Sequence, residues 1–238
     1  MPEGDRDRAT RDAPIRLTVF DLDNTLLDGD SDVLWCEFLL DRGLLERERF
    51  VAGNADMERR YAQGTVGVAE FAAFYVSTLA GRTVAEVDAL RRAFLRETIA
   101  PRIPQPARAL VARHQREGDL VVLSTATNRV ITELTASELG IAHLIATEVE
   151  LEHERYSGRP RGVLNMRDGK VERLRGFLAE RALELQHCES RFYSDSINDL
   201  PLLQAVRSPV VVDPDTALAA VALERGWPTL RLRGRSLG

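Results

Sequence analysis

The sequence predicts an α/β fold, a Rossmann-like doubly wound parallel sheet interrupted by an inserted α-helical segment. Three observations carry this. Short apolar runs rich in β-formers alternate with helical patterns, as in βαβ units with both sheet faces covered. Two of those runs end in paired carboxylates. The interval from about Ser31 to Arg102 holds amphipathic helical patterns and no strand pattern.

In chain order, residues 1–13 mix acids and arginines without an apolar stretch, so they read as a solvated tail rather than a signal peptide. Ile15–Phe20 (IRLTVF) is the first strand. The helical insertion follows, punctuated by Gly43, Gly64 and Gly81, and Pro101, Pro104 and Pro106 mark the return to the sheet. Its most apolar helix is Val68–Leu79, whose aromatics Phe71, Phe74 and Tyr75 suit a core better than a ligand cage. Leu120–Thr125 is the second strand, after the turn Glu117-Gly118-Asp119, and the helix Asn128–Leu139 stops at Gly140. His143–Thr147 is the third strand, and 148–162 form a hairpin around Gly158. The helix Lys170–Leu183 follows the Asp168-Gly169 turn. Arg191–Ser194 and Pro209–Val212 are further strands, Asp215–Glu224 is a helix stopped by Gly226, and Thr229–Leu232 is a last short strand.

Composition excludes several classes. With 44% hydrophobic and 29% charged residues, the 238-residue chain suits one globular domain carrying an insertion. A net charge of -5 gives no electrostatic reason for a nucleic-acid or anionic-membrane partner. No apolar run approaches the roughly 18 residues that a membrane span needs. Cys36 and Cys188 form no CxxC pattern and read as reduced thiols in the cytoplasm. Monomer and homodimer are both compatible with the sequence. The four histidines show no metal-ligand spacing and read as structural or surface residues. Of 32 basic residues, Lys170 alone is a lysine. A bias toward arginine explains the other residues and not the exception, whereas a site needing a compact point charge does.

The candidate chemistry sits at strand ends. Asp21 and Asp23 follow the first strand two apart, so they point the same way, at the edge where parallel sheets build their sites. Taken alone, the pair also suits an Asx-rich turn. Asp195 and Asp199 follow the strand that closes on Ser194, at the same edge. Acids converging there repel one another unless a cation sits among them, and hard oxygen ligands point to Mg²⁺. Thr125, followed by Ala126 and Thr127, ends the second strand, and Lys170 opens a helix from which it can neutralise phosphoryl charge.

These residues, in order, resemble the four motifs of the haloacid dehalogenase (HAD) phosphatases: Asp21-x-Asp23-Asn24-Thr25, the strand closing on Thr125, Lys170, and Asp195-x-x-Asn198-Asp199. The resemblance covers nearly the whole chain after the tail. It implies a HAD core at 14–30 and 103–238 and a C1 helical cap at 31–102, as in the phosphoserine phosphatase-like branch. Thr125-Ala126-Thr127-Asn128 and Ser194-Asp195-Ser196 are similar to HAD subfamily IB hydrolases of bacteria, some of which are histidinol phosphatases. By that resemblance Asp21 is the nucleophile that becomes an aspartyl-phosphate, and Asp23 the general acid and base. Thr125 and Lys170 bind the transferring phosphoryl oxygens. Mg²⁺ is held by Asp21, the Asp23 carbonyl, Asp195, and Asp199 directly or through water. Asn198 suits either orienting Lys170 and the metal shell or capping a helix; Asn24 suits either a phosphate hydrogen bond or a turn.

The resemblance also bears on substrate. The position of the amine-binding glutamate of phosphoserine phosphatases falls on Asp30, with Asp28 and Asp32 as alternative acids. The position of their carboxylate-binding arginine falls at or near Tyr75. A carboxylate without a cation in a closed site is costly, so an amino-alcohol phosphate such as L-histidinol phosphate fits better than phosphoserine. Arg59, Arg60 or Arg82 supplies the missing cation if the insertion folds differently. Competing readings are a phosphoserine phosphatase, a lipid head-group phosphatase, a phosphotransferase, and a catalytically silent phosphometabolite-binding module.

Overall fold

In the computed structural model, residues 14–62 and 67–233 are described; the expected tail at 1–13 and Gly64 lie outside them. The chain runs β1 (Arg16–Phe20), α1 (Ser31–Asp41), α2 (Arg47–Ala62), α3 (Val68–Val76), α4 (Val84–Phe94), α5 (Gln105–Arg116), β2 (Leu120–Asn128) and α6 (Arg129–Glu138). It continues through β3 (His143–Glu152), β4 (Arg155–Arg161), α7 (Asp168–Ala179), β5 (Glu189–Ser194), α8 (Leu200–Ala205), β6 (Ser208–Val212), α9 (Thr216–Arg225) and β7 (Thr229–Leu230).

The strands form one sheet in the order β4-β3-β2-β1-β5-β6-β7, parallel throughout except for the β3–β4 pair. Alternation along β1 explains why both faces are covered. Leu17 and Val19 join Val122, Phe192, Leu174 and Leu178 in one core, and Phe20 joins Leu123, Tyr193, Ile131 and Trp35 in the other. β1 pairs with β2 on one side and β5 on the other, so chain order reverses there. That switch point opens a crevice at the carboxyl ends of three adjacent strands.

The helices α1 to α4 form the predicted insertion between β1 and β2. An aromatic cluster joins α1 with α4: the Trp35 ring lies 5.7 Å from Phe38 and 5.2 Å from Phe94, and its indole N–H donates to Thr78, just after α3, at 3.1 Å. Thr83 and Glu86 close a reciprocal capping box at the start of α4.

The hairpin expected at 148–162 exists as the outer part of β3 with β4, and it does more than turn the chain. Its free edge bonds to the insertion: Gly81 N–H to the Tyr156 carbonyl at 2.8 Å, Tyr156 N–H to Arg82 at 3.0 Å, and Val84 N–H to Glu154 at 3.2 Å. Gly158, at φ 82°, allows this approach, since a Cβ there falls 2.7 Å from the Ala80 Cβ.

Boundaries differ where tertiary pairing extends or ends an element. β2 runs on to Asn128, with a register irregularity after Thr125, so Asn128 is the cap of α6 rather than its first residue. α7 stops at Ala179 instead of Leu183, and Ala182 just beyond takes φ 55°. Gln105–Arg116 is a full helix where the prolines predict only a boundary.

Candidate active site

Asp21 leaves β1 with its backbone N–H bonded to the Tyr193 carbonyl at 2.9 Å, which carries the sheet ladder one residue past the strand. Its side chain is 9% exposed. Lys170 enters from the first turn of α7 with a side chain only 2% exposed, and its Nζ lies 2.7 Å from both Asp21 Oδ1 and Asp199 Oδ2. Burial works against the lysine charge, but Asp199 and Asp21 more than offset it and hold the ammonium above its ordinary pKa. Ser194 also donates to Asp199 Oδ2, at 2.7 Å.

α7 can start so close to the cavity because Gly169, one residue before the lysine, packs on the backbone of Leu164. A Cβ at that position falls 2.0 Å from the Leu164 carbonyl oxygen.

Thr25 ties the two strand ends together. Its hydroxyl lies 3.2 Å from Asp21 Oδ2 and 3.0 Å from Asp195 Oδ1, and it accepts from the Asp195 N–H at 3.0 Å. Burial raises the Asp21 carboxyl to about 7; Lys170 opposes the shift and the charges on Asp199 and Asp23 reinforce it. Asp195 is pushed up to about 8, first by burial and then by the Asp21 charge. Among the described residues no lysine or arginine pairs with Asp195, so these oxygens present the like-charge repulsion that a hard divalent cation relieves.

Asp23 faces the other side. It accepts from the Ser31 N–H at 2.7 Å, from Thr127 Oγ1 at 2.9 Å and from Thr125 Oγ1 at 3.3 Å. Burial, then the charge of Asp30, raises it to about 6. The same Thr127 hydroxyl lies 3.1 Å from Asp32 Oδ2, and burial followed by Asp30 and Asp23 lifts the Asp32 carboxyl well above the ordinary range.

A cavity of about 200 Å³ joins these groups, lined by Asp21, Asp23, Asn24, Asp30, Asp32, Phe71, Ala126, Thr127, Met166, Lys170, Asp195, Ser196, Asn198 and Asp199. Larger open clefts of about 870 and 900 Å³ lie elsewhere on the surface and contain neither Asp21 nor Lys170.

Most of the residues singled out from sequence meet here, with differences in role. Thr125 lies fully buried below the cavity wall. Asn24 lines the cavity at φ 55°, a conformation that asparagine tolerates, and its Oδ1 accepts from Arg233 at 3.4 Å. Asn198 lines the cavity and its Oδ1 accepts from Arg167 at 3.2 Å, while the N-cap position of α8 falls on Asp199. Asp30 lines the mouth while its Oδ1 caps α1, accepting from the N–H groups of Asp32 and Val33 at 2.9 and 3.0 Å.

Tyr75 is not brought to the cavity. It is 4% exposed, its hydroxyl donates to Asn54 at 3.0 Å, and Phe71 lines the wall instead, one helical turn earlier. Nor do the alternative cap cations line it. Arg59 pairs with Asp56, Arg60 with Asp56 and Glu70, and Arg82 donates to the Thr78 and Leu44 carbonyls.

Sequence reasoning missed Thr127 as a bridge between acids, although it stands two residues beyond Thr125 and so on the same side of the strand. It also gave Thr25 no role of its own. His114 is a structural residue: fully buried, it sits 2.7 Å from Asp119 and 2.9 Å from the Tyr193 hydroxyl. With Glu117 and Asp119 it forms a metal-compatible group, but at the amino end of β2, away from the crevice.

Comparison with known proteins agrees with this geometry. The haloacid dehalogenase-like hydrolase family model matches residues 18–204. A histidinol-phosphatase of Neisseria meningitidis is 38% identical over 219 residues, covering 91% of this chain and 99% of the relative. Phosphoserine phosphatase SerB1 of Mycobacterium tuberculosis is 32% identical over 228 residues, covering 91% of this chain and 72% of the relative. A crystal structure of a protein of unknown function from Bordetella pertussis superposes with a TM-score of 0.89 at 39% identity, covering 93% of this chain and all of that one. A substrate-bound phosphoserine phosphatase superposes with a TM-score of 0.64 at 13% identity, covering 93% and 94% of the two chains, a likeness of fold alone. The strand-end carboxylates, the buried lysine and these relatives make the chain a phosphatase of the haloacid dehalogenase-like hydrolase family.

Proposed function

We propose that the protein is a Mg²⁺-dependent phosphomonoesterase that works through an aspartyl-phosphate on Asp21 and acts on a small amino-alcohol phosphate, L-histidinol phosphate fitting best. The observation that carries the chemistry is the buried lysine bonded at 2.7 Å to both Asp21 and Asp199 at the sheet's switch point.

An Asp21 oxygen attacks phosphorus in line, the bond to the leaving oxygen breaks, and Asp23 delivers its proton to the departing alkoxide. Asp23 is suited to this because its raised value of about 6 keeps a proton within reach near neutrality. It then takes a proton from the water that hydrolyses the acyl phosphate. Lys170 holds negative charge on the transferring group. The all-oxygen donor set of Asp21, the Asp23 carbonyl and Asp195, with Asp199 directly or through water, fits Mg²⁺. Bound there, the ion would supply charge neutralisation for the phosphoryl group and favour the ionised form of Asp21. Residues 14–30 and 103–238 act as the core, and 31–102 as the cap that closes over the leaving group.

The substrate reading rests on charge. Lys170 is the one cation lining the cavity among the described residues, and it faces the phosphoryl end. Substrate carboxylate would meet acids, whereas substrate ammonium would meet Asp23, Asp30 and Asp32. The similarity to the Neisseria histidinol-phosphatase supports the same class. Phosphoserine is the second reading, supported by the mycobacterial relative's name and opposed by the lining. Free Cys36 and Cys188, both buried, fit a cytoplasmic enzyme.

The test is phosphate release from a panel including L-histidinol phosphate and L-phosphoserine, with Mg²⁺ and with EDTA. Histidinol phosphate should give the highest kcat/KM, and Asp21→Asn should lose turnover while keeping the wild-type circular dichroism spectrum. Retained activity in that variant removes Asp21 as nucleophile, and a preference for phosphoserine removes the substrate assignment.

A further inference from the structure

We propose that Asp32 is the specificity-determining carboxylate that receives the cationic group of the leaving alcohol, held by Thr127 at a fixed distance from Asp23. The proposal rests on the phosphatase reading of Asp21 and Asp23, and it moves cation recognition from Asp30, where sequence position puts it, to a residue two further on.

Three observations carry it. First, Asp30 serves the fold: its Oδ1 is the cap acceptor for two N–H groups of α1. Asp32 stands in the first turn of that helix, and its carboxylate is turned to the cavity wall, where its hydrogen-bond donor among the described residues is Thr127, 95 positions away. An acid that only complements the helix dipole needs no partner from another strand.

Second, the geometry matches a small amino alcohol. Asp23 Oδ2 and Asp32 Oδ2 lie on one hydroxyl, at 2.9 and 3.1 Å, so they are no more than about 6 Å apart. The leaving oxygen must sit within hydrogen-bond reach of Asp23 to take its proton. A cation two carbons beyond that oxygen then falls within reach of Asp32.

Third, the charges divide by side. Lys170 bonds Asp21 and Asp199, and a divalent cation held by Asp195 would complete neutralisation at the phosphoryl end. On the leaving side Asp32 pairs with no lysine or arginine among the described residues, and its charged neighbours are Asp30 and Asp23. Thr127 has one hydroxyl proton and cannot donate to both carboxylates at once. A substrate ammonium supplies the donors that this side lacks.

The test uses two esters of similar size that differ in charge, 2-aminoethyl phosphate and propyl phosphate, with wild type, Asp32→Asn, Thr127→Val and Asp30→Asn in Mg²⁺. Wild type should favour the amine by about tenfold or more in kcat/KM, the worth of a hydrogen bond to a charged group. Asp32→Asn should collapse that ratio, and Thr127→Val should reduce it. Asp30→Asn should keep most of it, because asparagine still caps α1. Equal losses on both esters in Asp32→Asn, or collapse in Asp30→Asn alone, overturns the assignment. Indifference of the wild type to charge overturns it while leaving the phosphatase reading intact. Hydrolysis of neither ester, nor of p-nitrophenyl phosphate, removes the phosphatase reading and this proposal with it. If Asp32→Asn does not fold, the wild type decides: ethanolamine should inhibit p-nitrophenyl phosphate hydrolysis where propan-1-ol does not, and equal inhibition overturns the proposal.

Discussion

Gly169→Ala sets the three-dimensional structure against helix propensity. Gly169 lies in the first turn of α7, and replacing a helical glycine by alanine ordinarily gains about 0.8–1 kcal/mol. Here the added methyl falls 2.0 Å from the Leu164 carbonyl oxygen and 3.6 Å from Val163 Cγ1, while ordinary contact begins near 3.4 Å. The backbone must therefore open by more than an ångström. Overpacking of this kind costs about 1–3 kcal/mol. The displacement is applied one residue before Lys170, whose two 2.7 Å bonds tolerate little movement. Loosening a buried ion pair adds to the cost, up to the roughly 3–5 kcal/mol of a full break. A net destabilisation of about 2–4 kcal/mol corresponds to roughly 4–16 °C in Tm for a chain of this size. Turnover should fall about 10- to 100-fold, part of what losing a transition-state donor costs. Thermal unfolding by circular dichroism and kcat on p-nitrophenyl phosphate, both in Mg²⁺, measure the two effects. A Tm at or above wild type with kcat within about twofold refutes the reasoning, because propensity alone then accounts for the variant.

Lys170→Arg keeps the charge but forces a planar fork into a fully enclosed site; kcat should fall by about 10²-fold or more, and near-normal turnover would remove the case for a point charge. Mg²⁺ should raise Tm more at pH 8 than at pH 5. Asp23, Asp21 and Asp195 have folded values near 6, 7 and 8, above the unfolded 3.8, so their contribution to metal-free stability is complete only below about pH 4 and is lost as pH rises to about 8. Subtracting the EDTA melt at each pH isolates them; at one fixed Mg²⁺ concentration, about 100-fold above its Kd at pH 8, the gain is about 2.7 kcal/mol there and smaller at pH 5, and a pH-independent gain would contradict this linkage. Tyr75→Phe should cost about 0.5–1.5 kcal/mol in denaturant unfolding, from the lost bond to Asn54, with KM unchanged; a shifted KM would return Tyr75 to the substrate side.

What sequence could reveal followed from short-range regularities. The pairing of Asp21 with Asp23, and of β1 with a parallel neighbour, follows from period-two alternation and from the strand–helix rhythm. Lys170 was legible through composition. The phase of α3 was not: Phe71 and Tyr75 lie on one helical face a turn apart, and only the depth of packing decides which meets the cavity. Asp30 carried a readable local signal, an aspartate directly before the apolar run of α1, and family position concealed that capping role. The bridge from Thr127 to Asp23 and Asp32 joins positions about a hundred residues apart, and no local pattern encodes such a meeting.

The bonding of β4 to the start of α4 has a further consequence, for behaviour at high concentration. A mixed sheet exposes unpaired N–H and C=O groups along its outermost strands, and these invite other chains to add strands. On one side the groups of Glu154 and Tyr156 are taken by Gly81, Arg82 and Val84 of the same molecule. On the other side β7 is two residues long and follows Pro228, which offers no donor. The helical insertion thus shields a sheet margin as well as supplying Asp32 and Phe71 to the cavity wall. A shortened protein that keeps every strand but lacks residues 31–102 would bare that margin to strand addition by other chains.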